Sequence, residues 1–151
     1  MHVLVATDGS RQSHDAAKFL RKTVDPKTVT KVSVVAVVSP LAAVPFVTDD
    51  EDSGINEMSF RASAEKAVLS VAAELTDWGP PVSTHVYGGS PAGEILKAAT
   101  RFSSGLIVMA SSSTRTQAAL MGSVANKVVL QANAPVLVHR PAARKKAAKK
   151  K

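Results

Sequence analysis

The sequence predicts an α/β protein: an open, doubly wound, five-stranded parallel sheet with helices on both faces. Short β-branched apolar runs recur along residues 1–140, and all but the last are followed by a turn or a helical pattern. These runs are almost continuously apolar, as is typical of strands that are covered on both faces. Strands that alternate with helices pair in parallel through right-handed crossovers, which gives this fold class.

In the first half of the chain, strands are predicted at 2–7 and 31–39. Between them we predict a helix that starts near Ser13, ends at Asp25-Pro26 and turns an apolar side made of Ala16, Ala17, Phe19 and Leu20 to the core. Residues 40–56 mix apolar residues with the acidic cluster Asp49–Asp52 and are predicted to form a flexible connection.

In the second half, a 3.6-residue apolar period predicts a long helix from about Glu57 to Asp77, with Phe60, Ala64, Ala67, Val68, Val71 and Leu75 on its core side. A strand at 82–87 follows. The next helix takes Ser90 as its N-cap and Pro91 as its first residue. The remaining predicted elements are a strand at 105–110, a helix at 122–133 and a strand at 134–140.

Charge and composition divide the chain into a neutral domain and a basic tail. The formal net charge is +7, but residues 140–151 hold seven Lys and Arg, which leaves twelve basic against twelve acidic residues before them. We therefore predict a domain at 1–140 and a disordered Lys/Ala-rich tail at 141–151. The absence of cysteine excludes disulfides and thiolate chemistry. Without a long apolar run or a signal-peptide pattern, we expect a cytoplasmic protein with no membrane partner.

Four segments carry a resemblance to a known family: "VLVATDGS" at 3–10, "GSPAGEIL" at 89–96, "LIVMAS" at 106–111 and "MGSVANKVVLQANAPVLVHR" at 121–140. In this order, across roughly residues 2–140, they resemble the universal stress protein family. The resemblance implies a strand order of 3-2-1-4-5 and a homodimer formed by antiparallel pairing of the fifth strands, here residues 135–139. The family has branches that bind nucleotides and branches that do not.

In such a sheet, ligands bind at the carboxyl ends of the strands where the strand order reverses, here between the first and fourth strands. Unpaired N–H groups at the start of the fourth helix favour an anion there. With the resemblance, this predicts a nucleotide site made of Thr7, Asp8, Val37, Ala110, Ser111, Ser113, Gly122, Ser123 and Val124. Structural roles remain open for three parts of this set: Asp8 as a turn cap, Val37 as a core residue and Gly122-Ser123 as a helix cap.

The loop before the fourth helix departs from the family's nucleotide-binding pattern, which is Gly, two residues, Gly, nine residues and Gly-Ser or Gly-Thr. Ala110 and Ser113 replace the two early glycines, and only eight residues separate Ser113 from Gly122. Those glycines would permit a positive φ and a close approach to phosphates. Of the adenine nucleotides ATP, AMP and cyclic AMP, ATP is therefore the least expected ligand.

Two functional hypotheses follow. The first is a cytosolic stress-response protein that binds an adenine nucleotide as a homodimer and is not an enzyme, apart from weak ATP hydrolysis at most; the four scattered histidines have no metal-ligand spacing, and no nucleophile elbow is present. The second is a module with an empty pocket that acts on nucleic acid, polyphosphate or a protein through its dimer surface and tail. Tail binding would be salt-sensitive and would use Arg144, Lys145, Lys146, Lys149, Lys150 and Lys151.

Overall fold

The computed structural model describes residues 1–39, 53–111 and 121–140. The predicted tail, most of the predicted connection at 40–56 and the loop residue Ser113 lie outside these ranges. The described residues form a five-stranded sheet of β1 (His2–Ala6), β2 (Lys31–Val38), β3 (Val82–Gly88), β4 (Ser104–Ala110) and β5 (Val136–His139). All neighbouring strands are parallel, and their order is β3-β2-β1-β4-β5, as predicted.

Four α-helices connect the described strands: α1 (Arg11–Thr23), α2 (Ser53–Ala73), α3 (Pro91–Arg101) and α4 (Ser123–Gln131). A single 3₁₀ turn, Pro26–Thr28, follows α1. Because successive side chains of a strand point to opposite faces, β1 buries Val3 and Val5 against α1 and α2, and Leu4 and Ala6 against α3 and α4. Both faces of the sheet are thus covered, which confirms the predicted doubly wound architecture.

The predicted helix boundaries need correction at α1 and α2. The first helix begins at Arg11 rather than near Ser13, because Ser10 is its N-cap and the Ser10 side chain accepts the Ser13 N–H at 3.3 Å. The second begins at Ser53, inside the predicted connection, and ends at Ala73, before the predicted end at Asp77. The residues just after Ala73 form turns that carry the chain towards β3.

Two aromatic residues that were predicted to face the core are partly exposed. Phe19 is 40% exposed and Phe60 is 43% exposed. On α1 the small residues Ala16 and Ala17 pack directly against the sheet, and Phe19 lies to the side, with its ring centroid 5.2 Å from that of His139 in β5. On α2 the fully packed residues are confined to the second half of the apolar stripe and the turn after it: Val68, Val71 and Leu75.

Within the part of the chain that the structure describes, no helix is both long enough and apolar enough to cross a membrane.

Candidate functional site

A cavity of about 330 Å³ lies at the carboxyl ends of β1 and β4, where the strand order reverses. Eight of the nine predicted site residues line it: Thr7, Asp8, Val37, Ala110, Ser111, Gly122, Ser123 and Val124. Ser113, the ninth, lies outside the described residues. The prediction did not include Pro91 and Ile95, which bring the first turns of α3 to the cavity. The apolar period of α3 identifies Ile95 as inward-facing, but it does not show which inward-facing residues border a cavity.

The start of α4 supplies hydrogen-bond donors to the cavity. Gly122 is the N-cap and has no side chain to accept from the first turn, so no side-chain cap bond forms. The Asn126 N–H donates to the Gly122 carbonyl at 2.9 Å, which is the first bond of the helix. The N–H groups of residues 123–125 precede that bond, and all three residues line the cavity. Together with the helix dipole, they favour a negatively charged ligand group.

Ser111 adds an unpaired hydroxyl to this donor set. Its residue surface is 2% exposed, its N–H donates to the His139 carbonyl at 3.0 Å, and its own carbonyl accepts the Gly122 N–H at 2.6 Å. The Ser111 Oγ is buried and has no hydrogen-bond partner among the described residues. A buried unpaired polar group costs about 1–3 kcal/mol. The backbone of Ser111 is therefore held by two hydrogen bonds, whereas its hydroxyl has no partner in the described part of the chain.

The Thr7 hydroxyl, in contrast, is already used by the protein. Thr7 Oγ1 accepts the Gly9 N–H at 3.0 Å and lies 2.7 Å from Ser13 Oγ. Ser13 Oγ donates its own proton to the Ser10 carbonyl at 2.7 Å, so the proton between the two hydroxyls comes from Thr7. Thr7 therefore lines the cavity by fixing the loop after β1, and its hydroxyl proton is not available to a ligand.

Asp8 caps the turn after β1 and also lines the cavity. Its Oδ1 accepts the Ser10 N–H at 2.9 Å, which is the turn-capping interaction, and the residue also lines the cavity. The turn requires the glycine that follows, because Gly9 has a φ of +81°. A Cβ at Gly9 would lie 3.2 Å from the Ala67 Cβ, so α2 packs closely against this loop.

The histidines lie away from the cavity. His2 and His85 belong to a hydrogen-bonded set near the amino ends of β1 to β3, which we call the histidine network: His2, Ser33, Ser83 and His85. Burial lowers the pKa of both imidazoles, and the Lys31 ammonium lowers the pKa of each further. Over the described ranges, no group of three His, Asp or Glu side chains gathers as a metal ion would require. The sequence analysis placed the histidines in strands but did not find their pairing with serines.

The family model of the universal stress protein family matches residues 1–140. The chain belongs to the universal stress protein family. Universal stress protein MJ0531 of Methanocaldococcus jannaschii is 33% identical to it over 140 residues, which are 90% of this chain and 79% of that protein. The structure of the hypothetical protein MJ0577 aligns with a TM-score of 0.78 and 24% identity over 93% of this chain and 95% of that chain.

Solved structures of other universal stress proteins with this fold contain nucleotides. A family member from Arabidopsis thaliana with AMP bound aligns with a TM-score of 0.68 and 18% identity over 94% of this chain and 93% of that one. The universal stress protein from Archaeoglobus fulgidus in complex with dAMP aligns with a TM-score of 0.60 and 23% identity over 91% of this chain and 96% of that one. A further one is in complex with cAMP. At these identities, the likeness of the structures shows the shared fold.

Proposed function

We propose that this universal stress protein binds an adenine nucleotide in the cavity, with a monophosphate preferred over a triphosphate. The observation that carries the proposal is that two kinds of donor without a partner among the described residues belong to the wall of one cavity: the N–H groups at the start of α4 and the buried Ser111 hydroxyl. Both suit a phosphate oxygen. The AMP, dAMP and cAMP bound to relatives of the same fold support the adenine assignment.

The cavity has a polar end and an apolar end, and this division suggests how the ligand lies. Ser111, Gly122 and Ser123 form the end that suits the phosphate. Val35, Val37 and Ile95 form an apolar wall that suits the purine ring. Asp8, at the end of β1, is placed to accept from the exocyclic amine of adenine.

The preference for a monophosphate rests on the loop that joins β4 to α4. Where the family's nucleotide-binding pattern has glycine, this chain has Ala110 and Ser113. A Cβ at Ala110, on the cavity wall, keeps the backbone farther from a phosphate chain than glycine would. The Ser111 hydroxyl and the α4 N–H groups suffice for one phosphate.

We further propose that the chain forms a homodimer through residues 135–139, as the family resemblance implies. Strand β5 is an edge of the sheet, and its four residues are all partly exposed. A free edge strand offers unpaired backbone groups to a second copy. The full chain should sediment at twice its mass of 15.7 kDa. The backbone groups of residues 135, 137 and 139 face β4, so those of Val136 and Val138 face the free edge. Val138→Pro removes one outward backbone donor and should yield monomers; a folded variant that remains a dimer would place the interface elsewhere.

The basic tail favours a second candidate function, the binding of polyanions in the cytoplasm. Seven Lys and Arg lie between Arg140 and the end of the chain, and the rest of the protein is neutral. Binding through such a tail should weaken steeply with salt and ignore sequence. To test this, the retention of the full chain on DNA is compared over a salt series with that of a chain that ends at Arg140. Equal retention of the two chains would show that the tail does not bind DNA.

Isothermal titration calorimetry with AMP, cyclic AMP, ATP and inorganic phosphate tests the main proposal. We expect AMP to bind about tenfold more tightly than ATP, a difference of about 1.4 kcal/mol. Phosphate alone should bind far more weakly than AMP, because it leaves the apolar wall unoccupied. If none of the nucleotides binds at millimolar concentration, the cavity is not a nucleotide site.

A further inference from the structure

A serine, a histidine and a glutamate meet on the outer side of α1 and α2, apart from the cavity. Ser70 lies in the last turn of α2, and Glu74 is the first residue after that helix, where its N–H donates to the Val71 carbonyl at 3.1 Å. His14 extends from α1 between them. Its Nε2 lies 3.1 Å from Ser70 Oγ, and its Nδ1 lies 3.4 Å from Glu74 Oε1.

The order of these contacts fixes where the protons are. An ionised glutamate only accepts hydrogen bonds, so the contact with Glu74 assigns the imidazole proton to His14 Nδ1. His14 Nε2 is then the acceptor, and the Ser70 hydroxyl donates to it. This is the hydroxyl, imidazole and carboxylate arrangement in which a histidine takes the proton of a serine while a carboxylate orients the ring.

Neighbouring contacts hold the arrangement in place. Lys18 Nζ lies 3.9 Å from Glu74 Oε1 and forms an ion pair with it. Arg21 Nη1 donates a hydrogen bond to the Glu74 backbone carbonyl at 2.9 Å. Arg21 also forms an ion pair with Asp77. The contacts thus join α1, through His14, Lys18 and Arg21, to the end of α2 and the turn that follows it, where Ser70, Glu74 and Asp77 lie. Ser70 itself is exposed, so its oxygen can be reached from solvent.

We propose that Ser70 is a nucleophilic serine that becomes acylated by activated acyl donors such as aryl esters and acyl phosphates. In the reaction, Ser70 Oγ attacks the carbonyl carbon of the donor and His14 Nε2 takes the hydroxyl proton. The bond from the carbonyl carbon to the leaving oxygen then breaks, and the leaving group departs as its anion or with the proton from His14. The product is an ester on Ser70, with no oxidant or reductant involved.

The surroundings of Ser70 define which donors react. Ser70 lies within α2, where backbone N–H groups bond to carbonyls four residues earlier, so they do not form an oxyanion hole. Stabilisation of the developing oxyanion is therefore left to solvent. The reaction is restricted to donors with leaving groups that depart readily as anions, and unactivated esters and amides should not react.

The full chain treated with p-nitrophenyl acetate tests the proposal, with p-nitrophenolate followed by absorbance and the acetylated residue identified by peptide mass spectrometry. Ser63 is the internal control, because it is an exposed serine of the same helix for which no histidine contact exists among the described residues. We expect Ser70 to be acetylated at least about 100-fold faster than Ser63, within the range of general base catalysis. Acetyl phosphate should give the same ranking.

Two variants separate activation from exposure. His14→Gln should reduce acetylation of Ser70 to the level of Ser63, and Glu74→Gln should reduce it about tenfold by releasing the imidazole. Thermal unfolding of each variant shows whether the helix pair stays folded; if His14→Gln unfolds, the Glu74→Gln result decides. Equal labelling of Ser70 and Ser63 in the wild-type chain, labelling of Ser70 that both variants leave unchanged, or acetyl found only on His14 would each overturn the proposal.

Discussion

Two buried serines near opposite ends of the sheet, Ser33 and Ser111, differ in their hydrogen bonding. Near the amino ends of the strands, Ser33 is 0% exposed and its hydroxyl is bonded to His2 Nε2 at 2.8 Å and to Ser83 Oγ at 3.1 Å. Ser83 Oγ is bonded in turn to His85 Nε2 at 3.1 Å. After the carboxyl end of β4, Ser111 is as deeply buried, yet its hydroxyl has no partner among the described residues, and the same holds for the hydroxyl of Ser104 at the start of β4. The paired hydroxyl of Ser33 stabilises the fold, whereas the proposed function gives the unpaired hydroxyl of Ser111, a residue of the cavity wall, to the ligand.

Aromatic packing strengthens the same contrast. The ring of Phe102 lies 5.2 Å from that of His2 and 4.8 Å from that of His85, so the histidine network is packed as well as hydrogen-bonded. The Ser111 side chain instead borders a cavity of about 330 Å³. The packing and hydrogen bonds of the histidine network thus stabilise the fold, and the proposed function assigns the cavity wall around Ser111 to binding.

The largest effect is expected from a negative charge at the start of α4. Gly122 has a φ of −59° and a ψ of 159°, which other residues adopt without strain. In Gly122→Asp, the new carboxylate should accept hydrogen bonds from the N–H groups at the start of α4 and repel a phosphate. The affinity for AMP should therefore fall by about 100-fold, or about 2.7 kcal/mol. Stability should stay unchanged or rise by up to about 1 kcal/mol, since aspartate is a good N-cap. Calorimetry and thermal unfolding measure the two quantities.

Gly122→Asn is the matched control for that substitution, because it caps the helix without adding charge. It should lose clearly less affinity than Gly122→Asp. Equal losses in both variants would show that capping alone blocks the site, and full affinity in Gly122→Asp would place the phosphate elsewhere.

The next effect is on stability. Ser33→Ala leaves His2 Nε2 without its serine partner and Ser83 Oγ with His85 alone, so the free energy of unfolding should fall by about 1–3 kcal/mol. The affinity for AMP should not change, because Ser33 does not line the cavity. Urea denaturation measures the loss, and a stability equal to that of the wild type would mean that the network is not needed for the fold.

A smaller effect concerns pH. The pKa values of His2 and His85 are lowered from the usual value near 6.5 by burial and by Lys31, with Arg101 adding to the effect at His85 and the N-terminal ammonium at His2. As pH falls below about 6.5, the unfolded chain takes up protons that the folded chain resists. The contribution of these two histidines to the free energy of unfolding should therefore be fully present above that pH and decline below it.

Urea denaturation between about pH 7.5 and 5 measures this slope. The variant His2→Gln/His85→Gln should show a flatter profile, since neither position then titrates. A wild-type chain that becomes more stable as the pH falls through this range would contradict the assigned direction of both pKa values.

The smallest effect is expected from Ser111→Ala. It removes one donor to the ligand and should weaken AMP binding about five- to tenfold, close to 1 kcal/mol. Without ligand, the free energy of unfolding should stay equal or rise by up to about 1–3 kcal/mol, because a buried hydroxyl with no partner among the described residues is removed. Affinity equal to that of the wild type would remove Ser111 from the site.

Local patterns in the sequence predicted the strands of the sheet, and the family resemblance supplied their order. Continuous apolar runs identify strands that are buried on both faces, and the strand order that the resemblance implies brings the ends of β1 and β4 together. Thr7, Asp8 and Gly122 could therefore be predicted to lie at the same edge of the sheet. The start of α1 was missed because Ser10 and Ser13 are both acceptable caps, and only the bond between them decides which residue begins the helix.

Side-chain pairing could not be read in the same way. Ser33 and Ser111 are both serines beside apolar strand residues, and nothing local shows that the first is bonded and the second is not. The contact of His14 with Ser70 joins residues 56 positions apart, on two helices whose relative rotation the apolar periods fix only coarsely. The exposure of Phe19 arises likewise from close packing of Ala16 and Ala17 against the sheet.

The most direct test of the contrast between the two ends is the urea denaturation of wild type, Ser33→Ala and Ser111→Ala, each with and without saturating AMP. Ser33→Ala should lower the free energy of unfolding by about 1–3 kcal/mol, and saturating AMP should raise that free energy by as much as it does in the wild type. Ser111→Ala should be at least as stable as the wild type without ligand, and AMP at the same concentration should raise its free energy of unfolding by less. The reverse pattern, with Ser111→Ala destabilised alone and Ser33→Ala deficient in the AMP increment, would contradict the roles assigned to both regions.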